Sequence, residues 1–388
     1  MTHSPTDFLK IANHTAEHFG FKTIDKIKKV AVCRKCTELM PHTVTATNKK
    51  IDSLGGLLSN GIAAYCDANL HALEKPILLY TIDQVPRSAE PAVTFHIFNV
   101  EKSIAEAILI QVTRALASEL GQSEHTVRIN SLGDPDSLVR YTRELTNFLK
   151  KRLDVMPPQA RELMKEHPLA ALTFLAEQNH EIAIKSPNPM EYLSDPSRKH
   201  FREIIEFLDM SETPYEIDPK MLRHHECYSD AIFALDFVTE EGEEAPLSIH
   251  GGRFDEFVYR QTRTRTPAVG AVVVLNNAKA PARSPRIKVE KPSVYVVQLG
   301  FGPKIKSLML VDNLRKAGIP AYHDLASNSL SEQLRDAEDR KVEFTIIIGQ
   351  KEFVEDTFIF RNMKARNQEF LDRETLMRKL KRKIAVAA

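Results

Sequence analysis

The sequence has no apolar stretch that approaches the ~20 residues needed to span a bilayer. Its first ten residues, MTHSPTDFLK, lack the basic-then-apolar pattern of a secretion signal. Cysteine is scarce, with four in 388 residues, which excludes the disulfide framework of small secreted domains. Together these absences predict a cytoplasmic protein without a membrane partner.

An excess of charge of either sign is also missing. The chain has 53 Lys and Arg against 52 Asp and Glu, a formal net charge of +1. No global field would therefore draw it onto nucleic acid, and we expect no DNA partner; any RNA contact needs a local basic surface. The length, with 43% hydrophobic and 27% charged residues, predicts a globular protein of roughly two or three domains.

Apolar runs in the first 280 residues predict strands, and the last four of them follow one another with charged turns between them, which is typical of an antiparallel sheet. They include Pro76–Thr81, Val93–Val100, Tyr215–Ile217, Ala231–Phe237, Leu247–His250 and Ala268–Leu275. Ser103–Leu120 predicts an amphipathic helix, and Met156–Leu208 predicts helices broken by prolines. FKTIDKI, which begins at Phe21, predicts a strand. From Val30 to Asn60 the signals are weak, and Gly55-Gly56 is interpreted as a break.

The character of the sequence changes after a Pro-rich and basic segment, Lys279–Pro292, which predicts an interdomain linker. Apolar runs such as Val294–Leu299 and Phe344–Ile348 then alternate with helical patterns such as Ile305–Ala317 and Ser329–Arg340. Alternation of this kind with short loops predicts a small parallel or mixed α/β domain.

Three motifs precede this second module in a fixed order: MLRHHECYSD from Met221, HGGRFDEF from His250 and TPAVGAVVVLNN from Thr266. The order resembles the back half of a histidyl-tRNA synthetase, a class IIa aminoacyl-tRNA synthetase. The resemblance implies an α/β (α+β) fold, with a class II-like antiparallel sheet core at 1–280, a helical insertion at about 140–205, a linker at 281–292 and an anticodon-binding-like domain at 293–388. It also implies a homodimer formed through the core.

The resemblance assigns roles to individual residues. Arg87 and Arg223 fall at catalytic arginines that contact phosphate, where a guanidinium fork matches oxyanion geometry. Glu101 and Tyr228 fall at the pair that contacts the imidazole of histidine. Gly251 and Gly252 form a turn that packs beside the amino-acid pocket in that family.

Several family residues are replaced. Asn276 and Asn277 stand where motif 3 has Glu-Arg, and Val274 replaces its second glycine. Ile97 stands where a glutamine would hold the α-amino group. In LLSNGIAA, which resembles Leu-Arg-Pro-Glu-Gly-Thr-Ala, the Arg, Glu and Thr have become Leu58, Asn60 and Ile62. Because the loss of one preorganised donor lowers the rate by ~10²–10³, the replacements argue against normal adenylation.

Three functions are therefore weighed. The favoured hypothesis is a synthetase-like paralogue that binds tRNA or regulates a partner protein without normal aminoacylation. The alternative is a divergent, active histidine–tRNA ligase, which would use ATP and Mg²⁺ and would need other residues to replace the missing clamps. Arg263 and Arg265 are the nearest candidates for the lost motif 3 arginine. The third is a histidine-sensing regulatory subunit of histidine biosynthesis. No cofactor is certain from the sequence.

Two further sets of residues complete the sequence predictions. RNA-facing cations in the last domain are Arg335, Lys351, Arg361, Lys364 and Arg366. Cys33-x-x-Cys36 with His42 is only half of a zinc site, so no metal is predicted.

Overall fold

The computed structural model describes residues 4–27, 53–73, 75–86, 88–222, 225–239, 244–279, 281 and 291–387. The α-helices in chain order are α1 Pro5–His18, α2 Ser53–Asp67, α3 Ile104–Glu119, α4 Pro135–Lys150, α5 Pro158–Glu166, α6 Pro168–Glu177, α7 Glu181–Ile184, α8 Asp195–Met210, α9 Asp255–Thr262, α10 Phe301–Lys316, α11 Leu330–Asp339, α12 Gln350–Val354 and α13 Arg373–Ala387. The strands are β1 Ile77–Gln84, β2 Pro91–Phe98, β3 His125–Ser131, β4 Tyr215–Ile217, β5 Ser229–Phe237, β6 Leu247–Arg253, β7 Ala268–Leu275, β8 Val294–Gln298, β9 Ala321–His323, β10 Phe344–Ile348, β11 Phe358–Asn362 and β12 Gln368–Leu371.

A seven-stranded sheet forms the centre of the first part of the chain, in the order β1-β2-β7-β6-β5-β3-β4. Every neighbouring pair is antiparallel except β3 and β4, which are parallel. The predicted antiparallel sheet is confirmed, and consecutive strands pair because short turns can join antiparallel neighbours.

Helices cover both faces of this sheet. We call the face packed against α1, α3 and α8 the back face, and the face packed against α2, α4 and α6 the front face. Side chains alternate between the two, as in any strand. On β2, Phe95 and Ile97 lie on the back face, and His96 stacks with Phe98 on the front face.

Local signals at the helix ends agree with these elements. The Ser4 hydroxyl accepts a hydrogen bond from the Asp7 amide at 3.1 Å, and Pro5 occupies the first turn of α1. After α1, Gly20 adopts φ +82°, a left-handed conformation that glycine reaches without strain. The Ser4 cap and the Gly20 conformation therefore mark the two ends of this helix.

The predicted break at Gly55-Gly56 is wrong, because α2 runs through both glycines. Its apolar residues Leu54, Leu57, Leu58 and Ile62 recur at helical spacing and are buried on the front face. Burial of such side chains is worth ~1.5–3 kcal/mol each, which exceeds the ~1 kcal/mol that a glycine costs a helix.

The strand predicted for FKTIDKI is also wrong. Only Lys22 pairs with β1, through a bridge to Leu79, and the chain then makes a 3₁₀ turn at Ile24–Lys26. The segment extends the sheet edge by one residue and then leaves it.

A five-stranded sheet forms the centre of the last part, in the order β12-β11-β10-β8-β9. β9, β8 and β10 are parallel, whereas β11 and β12 are antiparallel, so the predicted mixed α/β domain is confirmed. Helices α10 and α13 cover one face, and α11 covers part of the other. The placement of the linker stays a prediction, since residues 282–290 lie outside the described part.

Candidate functional site

The turn after β7 and the loop between β1 and β2 meet at one edge of the seven-stranded sheet. The backbone N–H of Asn277 donates to Glu90 Oε1 at 2.9 Å, and its side-chain Nδ2 donates to Glu244 Oε2 at 3.0 Å. Family resemblance assigns phosphate binding to this edge. Arg87, in the same loop, lies outside the described residues.

Both asparagines join the turn after β7 to the chain at the start of β6. Asn276 Nδ2 donates to the Ala245 carbonyl at 2.7 Å and to Ser248 Oγ at 2.9 Å. Asn277 adopts φ +56°, a left-handed conformation that asparagine tolerates better than most residues. Neither amide is therefore free to bind a ligand, and the carboxylates of Glu90 and Glu244 would repel a triphosphate.

The arginines considered as replacements lie at the other end of β7. Arg263 ends α9 with φ +59°, and the guanidinium of Arg265 lies 5.7 Å from the ring centroid of Tyr259. Both precede β7, whereas Asn277 follows it. The strand has eight residues, and at ~3.3 Å for each it is ~26 Å long, which is far beyond the reach of an arginine. Neither residue reaches the turn at Asn277.

The segment LLSNGIAA, which lies in α2, packs directly onto β7, the strand that contains the motif 3 residues. A Cβ added at Gly270 would lie 3.0 Å from Leu58 Cδ2 and 2.7 Å from Phe254 Cε1. Leu58 and Ile62 have no exposed surface. Positions that the resemblance assigns to substrate binding are thus brought together, but the contact between them is apolar and dry.

His96 fills the space between α2 and β2. Its ring stacks on Phe98 with centroids 5.8 Å apart, and a Cβ added at Gly61 would lie 2.1 Å from its Nε2 atom. Burial lowers the pKa of His96 to about 3, so the ring is neutral at pH 7. Ile97 points to the back face, away from α2. The front-face neighbours of α2 on this strand are therefore aromatic rings, not an amide.

Tyr228 and His250 line a cavity of about 330 Å³ on the front face, beneath α6. The Tyr228 hydroxyl donates to the His250 carbonyl at 3.4 Å. A Cβ at Gly252 would lie 2.7 Å from the Ala231 carbonyl and 3.1 Å from the Tyr228 ring, so only glycine allows this approach. Tyr228 and Gly252 are therefore neighbours, but Gly251 and Gly252 lie within β6 and not in the predicted turn. Gly251 instead packs on Phe233 of the back face.

Charged residues of both signs surround this cavity. Arg128 Nη1 lies 3.5 Å from Asp218 Oδ2, and Lys220 and Glu177 complete the charged lining. The Thr173 hydroxyl is buried and has no hydrogen-bond partner in the described part of the chain. The lining suits a small zwitterion, because it offers cations, carboxylates and an unsatisfied hydroxyl together.

Two predicted residues, Glu101 and Arg223, are not seen in this cavity. Glu101 is exposed and is absent from its lining, and no hydrogen bond or ion pair joins its carboxylate to another described residue. Arg223 and His224 lie outside the described residues. The predicted pairing of Glu101 with Tyr228 stays a prediction.

A buried charge network on the back face was not predicted from the sequence. Arg253 Nε and Nη2 donate to the two carboxylate oxygens of Glu106 at 2.9 and 3.1 Å. His200 Nε2 lies 2.9 Å from Glu106 Oε1. Burial by itself raises the pKa of Glu106, but Arg253 and then His200 outweigh it and hold that pKa at about 2. Arg253 was interpreted as a turn residue, yet it joins β6 to α3.

The predicted RNA-facing cations lie on the surface of the second sheet and its helices. Arg335 and Lys351 are exposed on α11 and α12, and Lys364 and Arg366 are exposed in the β11–β12 hairpin. Arg361 is half-buried on β11.

An exposed aromatic residue, Phe370, accompanies these cations and was not predicted. It lies on β12 opposite Ile359, and 59% of its surface is exposed. Strand alternation places it on the same face as Arg361, and Lys351 Nζ lies 6.0 Å from its ring centroid. The sequence signal that could have revealed it is an aromatic residue in the polar run NQEF.

No group of three potential metal ligands occurs among the described residues. Cys33, Cys36 and His42 lie outside them. Within the same ranges, every helix is too short or too polar to cross a membrane.

Comparisons with known proteins agree with this geometry. Residues 293–383 match the family model of the anticodon binding domain. The histidine–tRNA ligase of Streptococcus pyogenes serotype M1 is 26% identical over 331 residues, covering 81% of this chain and 77% of the ligase. The histidine–tRNA ligase of Clostridium perfringens is 28% identical over 268 residues, covering 68% of this chain and 63% of that ligase.

The solved structures agree at the level of the fold. The crystal structure of apo S. aureus histidyl-tRNA synthetase aligns with a TM-score of 0.50 at 17% identity, covering 97% of this chain and 96% of that one. Its α/β architecture therefore matches the large antiparallel sheet and the second, mixed sheet seen here. The chain is therefore similar to histidine–tRNA ligases over most of its length, and its residues 293–383 match the anticodon binding domain.

Proposed function

We propose that this protein is a histidyl-tRNA synthetase-like paralogue that binds tRNA and does not carry out normal aminoacylation. The observation that carries the proposal is the packing of the buried side chains of Leu58 and Phe254 against Gly270, in the place where the resemblance expects substrate contacts. The carboxylates of Glu90 and Glu244 beside Asn277 support it, because a nucleotide phosphate there would meet like charge. We further propose a cytoplasmic homodimer, by resemblance to the family.

The RNA-binding part of the proposal rests on the β11–β12 surface. Exposed cations on a hairpin can contact phosphates, and an exposed aromatic ring can stack on an unpaired base. Lys364, Arg366 and Phe370 supply these groups on one short hairpin. The match of residues 293–383 to the anticodon binding domain supports tRNA as the ligand.

The first experiment is histidine-dependent ATP–pyrophosphate exchange by the full chain, beside an active histidyl-tRNA synthetase as control. We expect exchange at least about 10³-fold below the control, since several charge-stabilising donors are replaced together. Exchange within about a hundredfold would refute the proposal and establish the divergent ligase. That result would also require ATP and Mg²⁺ to bind at the Asn277 edge.

The second experiment measures tRNA affinity as a function of salt. Phe370→Ala should weaken binding by about 1–3 kcal/mol, the usual value of one stacked base. Lys364→Ala should lower the slope of log affinity against log salt by about one phosphate contact. Lys165→Ala is the matched control, because Lys165 is 71% exposed on α5, in the first part of the chain. Equal effects of all three variants would contradict the assignment of this surface.

The Tyr228 cavity favours a second candidate function, the sensing of free histidine. Its volume of about 330 Å³ and its lining of both charge signs suit an amino acid. The test is a thermal shift with L-histidine, using histidinol and L-leucine as controls, on the wild type and on Ala234→Met, which narrows the cavity. A rise in Tm that is specific to histidine and is lost in Ala234→Met would support histidine sensing. No change in the Tm of the wild type would rule out this function.

A further inference from the structure

A second cavity, of about 210 Å³, lies between the two sheet-containing parts of the molecule. Helix α3 forms one wall, and helix α10 and the start of α13 form the other. Four basic side chains line it, against the one carboxylate of Asp312; they are Arg114, Arg315, Lys316 and Arg373. The cavity is remote in sequence from every motif considered above.

Arg114 is a partly buried cation that forms no ion pair within the described part of the chain. Its Nε donates to His125 Nε2 at 3.2 Å, and its Nη1 donates to Thr213 Oγ1 and to Gln111 Oε1. All three acceptors are neutral, and no described carboxylate lies within 4 Å of the guanidinium. Burial lowers the pKa of Arg114 from its ordinary value, as expected for a cation without a close counter-ion.

The neighbouring carboxylates are already engaged by other cations. Arg315, only 4% exposed, donates to Asp312 Oδ1 from Nε at 3.0 Å and from Nη2 at 2.9 Å, and it also contacts Glu119. Lys316 Nζ lies 2.9 Å from Asp312 Oδ2. Arg373 is exposed at the start of α13 and has no described carboxylate within 4 Å. The carboxylates of Asp312 and Glu119 thus lie among four basic side chains, which leaves a local excess of positive charge facing the cavity.

We propose that this cavity binds a tetrahedral phosphate group, held by Arg114 and Arg373, with Ser118 and Asn313 as further hydrogen-bond donors. A guanidinium fork matches phosphate oxygens better than any other side chain, and a dianion supplies the missing charge. Because α3 packs on the seven-stranded sheet and α10 on the five-stranded sheet, the bound phosphate links the anticodon-binding domain to the core. The phosphate is either free, as orthophosphate or the end of a nucleotide, or part of an RNA backbone.

Thermal unfolding and calorimetry of the full chain test the proposal with orthophosphate as the probe and sodium chloride of equal ionic strength as reference. The variants are Arg114→Gln and Arg373→Gln, which keep hydrogen bonding but remove charge. Arg143→Gln is the matched control, because Arg143 is 73% exposed on α4 and does not line the cavity. The same four proteins are then titrated with a tRNA transcript. Circular dichroism establishes that each variant is folded.

Phosphate should raise the Tm of the wild type in a saturable way. If both cavity variants bind phosphate at least about tenfold more weakly and the control binds it as the wild type does, the ligand is a free phosphate. No effect of phosphate, with tRNA affinity lowered at least about tenfold in both cavity variants alone, supports an RNA phosphodiester. Unchanged affinity for both probes in the cavity variants overturns the proposal. If Arg114→Gln does not fold, the exposed Arg373→Gln decides by the same criteria.

Discussion

Removal of the Arg253 guanidinium should destabilise the protein strongly. Arg253→Leu leaves the carboxylate of Glu106 buried, 1% exposed, without its two charged hydrogen bonds of 2.9 and 3.1 Å. Breaking a buried pair from one side typically costs about 3–5 kcal/mol, because the remaining charge is left uncompensated. His200 stays 2.9 Å from Glu106 and offsets part of that penalty, so we expect the lower half of the range.

The assay is urea unfolding followed by far-UV circular dichroism, with two comparison variants. Arg128→Leu also breaks an ion pair, but Arg128 is 36% exposed and Asp236 49%, so the expected loss is at most about 1 kcal/mol. Glu106→Leu combined with Arg253→Leu should be more stable than Arg253→Leu alone, because no unpaired glutamate remains. A loss of unfolding free energy below about 1 kcal/mol for Arg253→Leu would refute the interpretation that Arg253 and Glu106 form a buried, mutually compensating ion pair.

The pH dependence of the same variants gives an independent check. In the wild type the folded pKa of Glu106 is lowered from 4.5 to about 2, so the pair's stabilisation is complete above about pH 4.5 and is lost as the pH falls towards 2. Without Arg253, burial raises the pKa of Glu106, and protonation then relieves the penalty. The destabilisation by Arg253→Leu should therefore shrink between pH 7 and pH 5. A constant difference would contradict this explanation.

Two further predictions concern packing and acid sensitivity. Gly61→Ala should cost about 1–3 kcal/mol by overpacking against His96, whereas Gly56→Ala in the same helix, with its nearest contact at 3.6 Å, should stabilise by up to about 1 kcal/mol; urea midpoints distinguish them. Burial lowers the folded pKa of both His18 and His323 to about 4, so stability should be full above pH 6.5 and should decline as the pH falls towards 4. Replacing both by Gln should flatten the decline in Tm between pH 6.5 and 4.5, and an unchanged slope would refute this origin.

The sequence predicted the parts of the fold in which local pattern and burial agree. β7 and β10 begin and end where their apolar runs do, because such runs form central strands that are buried on both faces. Helix α2 was missed because the Gly55-Gly56 pair suggests a break, and only the long-range packing of the helix on the sheet overrides that preference. β12 was missed because its residues are mostly exposed and polar, so pairing with β11 alone defines it.

The candidate site divides in a similar way. Family resemblance assigned Tyr228 and Gly252 to the amino-acid pocket; in the structure they are neighbours because β5, which begins after Tyr228, pairs with β6. It could not place Arg253, because a partner 147 residues away, Glu106, decides that the side chain points to the back face. Nor could it indicate the cavity at Arg114, whose walls come from helices separated by almost two hundred residues.

The contact of Leu58 with Gly270 has an evolutionary consequence. Leu58→Arg would place a guanidinium against Phe254 in a fully buried position, where an unpaired charge costs several kcal/mol. A lineage that acquires substitutions one at a time would thus lose folding stability before it recovered any phosphate contact. Under the proposed loss of aminoacylation, the packing of α2 on the sheet would therefore require several coordinated substitutions before a phosphate contact could return.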